Sequence, residues 1–172
     1  MTMASELTDE QLLDLVQRQT FRYFWDFAHP LSGLASERSN EAFGYGREVV
    51  TTGGSGFGVM AIVVAVRRGW IARQDAVRRL LEMVEFLWRA DSYHGVLPHF
   101  LHGETGRTIP FSRKDDGGDL VETSFLIAGL LCARQFFDGI AGKEADLRHR
   151  IDAPARAPGQ AAGVDAPGGP AA

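Results

Sequence analysis

Apolar positions in this chain recur at helical spacing in some segments and fill nearly every face in others, and the two kinds alternate. Leu13, Val16, Thr20, Phe21, Phe24 and Phe27 mark one face, with Asp14, Arg18 and Arg22 among the residues between them. That spacing predicts an amphipathic helix. Thr8 and Gln11 read as a capping box at its start, and Asp9 and Glu10 suit the positive end of a helix dipole. "HPLSG" ends it, because proline disfavours helical geometry in the residue before it. A polar loop follows, "GLASERSNEAFGYGREVVTTGGSG".

Phe57 to Val66 is apolar nearly all round. Its β-branched residues favour a strand, whereas its length and the "RRG" that follows favour a helix, and we read it as helix. Val77, Leu80, Leu81, Val84, Leu87 and Trp88 then repeat at three and four, while Arg78, Arg79, Glu82, Glu85 and Arg89 face elsewhere. This is a second amphipathic helix. "SYHGVLPHFLHGETGRTIPFS" changes period, with short alternating runs about "GETG" that predict a β-hairpin. From about Asp119 to Phe137 a helix apolar on almost every side is predicted, and "EADLRHRI" begins a fifth.

A helix apolar all round must be covered on all faces, whereas a one-sided helix can serve as an outer wall. Their alternation predicts inner and outer layers of helical hairpins, an all-α fold of the (α/α)6 toroid type with a small β-hairpin insertion. Glycine-rich loops, "TTGGSG" and "DDGGD", enter both inner helices, and glycine lets a ligand approach the backbone closely. Six hairpins with helices of this length require about 300 residues. The chain has 172, so residues 1–151 are expected to be the N-terminal part of an incomplete toroid. Beyond Ile151, "DAPARAPGQAAGVDAPGGPAA" offers nothing to build a core. Residues 152–172 are expected to be a disordered tail, a composition that a frameshift in a GC-rich gene would also yield.

Composition narrows the function classes. Hydrophobic residues make up 45% and charged residues 23%, a normal globular balance. A net charge of −4 argues against a nucleic-acid partner, since phosphate binding wants a basic face. The longest apolar run, "FGVMAIVVAV", is about half of the roughly 20 residues a membrane span requires. No basic segment followed by an apolar one opens the chain. A soluble protein without a membrane partner is expected, cytoplasmic as written and periplasmic if the start codon is misplaced. Cys132, the single cysteine, lies in an apolar run and reads as a small buried hydrophobe rather than a nucleophile.

The chemistry concentrates in "KDDGGDLVETSF". Asp119 and Glu122 stand three apart in a first helical turn, so both carboxylates point to nearly one side. A helix N-terminus favours their ionised form, which suits a general base or an acceptor of sugar hydroxyls, not a general acid. Acids in a first turn are more commonly caps, and on that reading Asp119 is a cap and Asp115 and Asp116 are loop residues. Glu122 resists that reading, because a carboxylate on a helix without a polar face needs a partner. "GGSGFG" after "REVV" has the wrong spacing for a dinucleotide fingerprint, and "EVV" is a poor strand. His94, His99 and His102 lie on the hairpin without a matching helix motif, which favours solvated histidines over a metal site. Arg38, Arg47, Arg113 and Lys114 share loops with the acids. Tyr45, Tyr93 and Phe100 offer a sugar-stacking face or a plain aromatic rim.

"FRYFWDFAHPLSGLASERS", "TTGGSGFGVMAIVVAVRRGWI" and "DDGGDLVETSFLIAGLLCARQFF" resemble successive blocks of the glycoamylase-like family. That family includes bacterial endo-β-1,2-glucanases and relatives of the cyclic β-1,2-glucan synthase processing domain. The resemblance runs from about Thr8 to Ile151 and implies an (α/α)6 toroid that hydrolyses β-glucan without an organic cofactor or a metal. It implies that Asp119 and Glu122 act at the cleaved bond, and that Asp115 and Arg38 border the substrate groove. The family's candidate acid catalyst lies in helices this sequence does not match. Turnover by the chain alone is therefore not expected. A non-catalytic carbohydrate-binding or interaction protein is the alternative, as is a non-functional remnant. An opened ring exposes the apolar faces of its inner helices, and self-association would bury them.

Overall fold

A computed structural model describes residues 7–38 and 48–153. Five helices and a small sheet follow in order: α1 Asp9–Trp25, β1 Val49–Thr51, α2 Thr52–Arg67, α3 Arg73–Arg89, β2 Phe100–His102, β3 Thr108–Ile109, α4 Leu120–Phe136 and α5 Gly142–Asp152. The capping box forms at α1, where Gln11 N donates to Thr8 Oγ1 at 3.3 Å and Thr8 N donates to Gln11 Oε1 at 3.0 Å. The expected hairpin is β2–β3, closed by Gly103–Gly106 with Gly106 at φ +71°. β1 joins it as a third antiparallel strand, with Val50 opposite Leu101 and both wholly buried. "EVV" thus does contribute to a strand: β1 is β-branched throughout but only three residues long, and the edge of β2 supplies the pairing it needs.

α2 begins at Thr52, five residues before the predicted start, so "TTGGSG" is largely first turn and not an entry loop. Its glycines serve packing. A Cβ on Gly56 would sit 2.2 Å from Phe125 O, and a Cβ on Gly129 would sit 2.2 Å from Gly56 O. The backbones of α2 and α4 touch, and only glycine on both sides permits it. Ser55, Gly58, Thr123 and Ala133, all buried, are other small residues on these two helices.

α3 behaves as its pattern predicts, burying Ala76, Val77, Leu80, Met83, Val84 and Leu87 against the other face of α2 and against α5. At its N-terminal end Arg73 forks onto Glu144 at 2.7 and 2.9 Å and donates to Phe136 O at 3.0 Å. Its guanidinium also lies about 5 Å from the Phe136 and Phe137 rings, at 4.9 and 5.0 Å. One side chain thereby ties α3, the end of α4 and the start of α5. Arg134 pairs with Asp152 at 2.9 Å, and Asp152 is still helical.

Two expectations fail, those for Cys132 and for α1, whereas apolar helix faces are left exposed as expected of an opened ring. Among the described residues α2 and α4 keep part of their apolar surface uncovered: Phe57, Val64, Val121, Phe125, Ile127 and Leu131 are exposed. Cys132, on α4, is exposed too. On α1 only Phe21 is buried, and Leu13 and Val16 remain in solvent. No helix among the described residues is long and apolar enough to cross a membrane. Tyr45, Arg47 and the Ala/Gly/Pro-rich segment from residue 154 lie outside the described residues.

Candidate active site

The N-terminal ends of α2 and α4 meet beside the segment leading into β2. Thr52 Oγ1 donates to Pro98 O at 2.6 Å, and Thr52 N donates to His99 O at 3.1 Å. On the α4 side Thr123 Oγ1 accepts from Leu97 N at 3.0 Å, and Asp119 N donates to Leu97 O at 2.8 Å. One extended segment, Leu97–His99, thus holds both helix starts in register.

Asp119 is the N-cap of α4. Its Oδ1 accepts from Val121 N at 2.9 Å and Glu122 N at 3.0 Å. Its Oδ2 lies 3.0 Å from His99 Nδ1. Partial burial pushes this carboxyl up. The hydrogen bonds from the Glu122 amide, His99 and the Val121 amide together outweigh it and hold the pKa below the ordinary carboxylate value. Asp119 is therefore an ionised acceptor, as its helical position predicts.

Glu122 does something the sequence does not announce. α2 has no acid in its first turn, and its own cap residue, Thr51, makes no side-chain cap bond. Glu122 reaches across from α4 and supplies the missing acceptor, its Oε2 taking Gly53 N at 2.8 Å and Thr51 Oγ1 at 3.1 Å. Gly53 must be glycine for this, since a Cβ there would stand 2.7 Å from Glu122 Oε2. The glycine does admit a ligand to the backbone, and the ligand is the chain's own carboxylate. Both acids are thus partnered at helix N-termini, where the dipole and free N–H groups favour anions.

The other expected residues are less closely drawn in. Asp115 lies in the turn before α4, where its carbonyl accepts from Phe111 N at 2.9 Å. Arg38 pairs with Glu37, close to β1 through the Ser36–Val50 bridge. The Tyr93 hydroxyl donates to Asp116 O at 3.0 Å. His99 is not the solvated histidine that the sequence suggested. It is the partner of Asp119, and its ring packs against Phe100 and Phe111 at 4.4 and 4.6 Å between centroids. Twenty residues separate it from Asp119, so no spacing rule exposes the pair. Among the described residues no group of three or more His, Cys, Asp or Glu side chains is placed to hold a metal ion.

No protein-family model matches the chain. It is 51% identical over 148 residues to the exo-β-1,2-glucooligosaccharide sophorohydrolase (non-reducing end) of Parabacteroides distasonis, covering 85% of the chain and 20% of that protein. Its fold matches the endo-β-1,2-glucanase of Chitinophaga pinensis in complex with sophorotriose and glucose. The TM-score is 0.82 and the identity 50%, over 86% of this chain and 36% of that one. A β-1,2-glucanase from Parabacteroides distasonis gives a TM-score of 0.78 at 49% identity, over 86% of this chain and 21% of that one. The chain thus spans about a fifth to about a third of the length of these relatives. Half of the aligned residues are identical and the folds superpose, so the chain is a close homologue of one part of the bacterial endo- and exo-β-1,2-glucanases.

Proposed function

We propose that this chain carries one wall of a β-1,2-glucan-hydrolysing site, built on two hairpins of an incomplete (α/α)6 toroid. The observation that carries this is the junction of two helix N-termini at one pair of carboxylates, Asp119 and Glu122, linked through Gly53 and Thr51. In this reading α2 and α4 are inner helices and α1 and α3 outer ones. Asp119 and Glu122 accept sugar hydroxyls or a proton at the cleaved bond, with Asp115 and Arg38 at the border of the groove.

The electrostatics decide which role is open. A glycosidase protonates the departing oxygen with a carboxyl whose pKa is raised, and needs a second carboxyl across the bond. Asp119 is held below the ordinary value and shares a helix with Glu122, so neither arrangement makes it the acid. The chain then binds glucan without cleaving it, and a complementing part supplies the acid. The alternative, a purely structural role for the two acids, draws support from their capping bonds. The uncovered apolar faces of α2 and α4 are proposed to drive self-association.

The test is to incubate the chain with β-1,2-glucan oligosaccharides, measuring saturable binding and release of reducing ends together. Binding without release is expected, and Glu122→Gln should weaken it about tenfold, the worth of one charge-assisted hydrogen bond. Binding unchanged in both Glu122→Gln and Asp119→Asn would assign the acids to capping alone.

A further inference from the structure

We infer that Phe111 is a sugar-stacking platform beside the acids, a subsite for the apolar face of one glucose ring. The inference rests on the glucan-binding reading above. Phe111 is a large aromatic side chain left 56% exposed, yet its ring is held. It lies 4.6 Å from His99 and 5.6 Å from Phe100, tilted by 35° and 36°. His99 is in turn 3.0 Å from Asp119 Oδ2. A continuous path of contacts therefore runs from an exposed aromatic face to an ionised carboxylate. Phe111 N donates to Asp115 O at 2.9 Å, which fixes the platform to the turn that enters α4.

The chemistry of this pairing fits a pyranose. Glucose presents axial C–H bonds on each ring face and hydroxyls around its edge. The flat apolar face wants an aromatic surface, and the edge wants strong acceptors. Phe111 offers the first, and Asp119, hydrogen-bonded to His99 of the same ring cluster, offers the second. The two rings behind Phe111 hold it in place.

The experiment titrates sophorotriose into the full chain and into Phe111→Ala, Phe111→Leu and Phe111→Trp, following amide chemical shifts. Circular dichroism checks the fold of each variant. A stacking platform predicts that Ala and Leu each weaken binding about tenfold, while Trp retains or strengthens it. The Leu variant separates a flat ring from mere apolar bulk. Equal affinity in all four proteins overturns the platform, and if Glu122→Gln still weakens binding, the glucan-binding reading survives it. Binding weakened by Ala but restored by Leu also overturns stacking. No binding by the parent chain overturns both.

Discussion

A Cβ at Gly53 would meet only the far end of the Glu122 side chain, which can swing away. Gly53→Ala should therefore cost little stability while driving the carboxylate off its amide. Thermal unfolding should shift by a few degrees at most, and glucan binding should fall as in Glu122→Gln. Asp119 behaves differently, because it is a cap. Asp119→Ala should cost about 1 kcal/mol in urea unfolding, and Asp119→Asn much less. The sign of its pH dependence follows from its lowered pKa. The stabilisation is complete above its unfolded value, near 3.9, and is lost as pH falls through that value and then through the lower folded one. Glu144 adds a parallel loss: its hydrogen bond to Arg73, opposed by burial and aided by the Gly139 amide and nearby arginines, holds it low as well. Urea midpoints should thus fall as pH drops from about 5 to 3, and the slope should flatten in Asp119→Asn. The acids were legible as residues, since their type and spacing sit in one short stretch. Glu122's receptor on α2 and His99's hold on Asp119 were not, because both depend on contacts between distant parts of the chain.

At the scale of the helices, glycines that read as loop are packing surfaces. Gly56 and Gly129 face each other across α2 and α4 with no room for a methyl group, and the obstacle is backbone that cannot step aside. Gly129→Ala should destabilise by about 1–3 kcal/mol or more, read from the urea midpoint. Gly117→Ala, where an added Cβ meets nothing within 4 Å, should stay within about 0.5 kcal/mol. The same contact explains which elements the sequence reveals. α1 and α3 carry an unbroken periodic stripe and are visible from it. The start of α2 is hidden, since glycine weakens helix propensity locally while the gain lies in a partner helix far along the chain. β1 is hidden for a similar reason, as three residues pair only because β2 is already there.

For the whole molecule, the uncovered apolar surface of α2 and α4 dominates. The Phe57 and Phe125 rings lie 5.2 Å apart, tilted by 40°, while remaining 49% and 40% exposed, and Val121, Ile127 and Leu131 are exposed on the same helix as Phe125. An apolar groove of about 340 Å³ between α1 and α2, lined by Val16, Phe21, Phe24, Ala61 and Val64, shares Val64 with that surface. Exposed apolar surface on this scale promotes association. Sedimentation velocity should show concentration-dependent oligomers, and Phe57→Ser with Phe125→Ser should shift them toward monomer. A monodisperse monomer at high concentration would contradict the proposed association. The apolar runs correctly predict α2 and α4 as helices, and part of their apolar surface stays exposed. What covers them is not written in their own pattern, which specifies an apolar neighbour and not its identity.

The proposed wall of a β-1,2-glucan site is open to one binding measurement, titration calorimetry of sophorotriose into the chain beside a β-1,3-linked glucose trimer. Such a wall gives saturable heat with the β-1,2-linked sugar and much weaker binding of the β-1,3-linked one. Equal heats for the two sugars, or none for either, would contradict it.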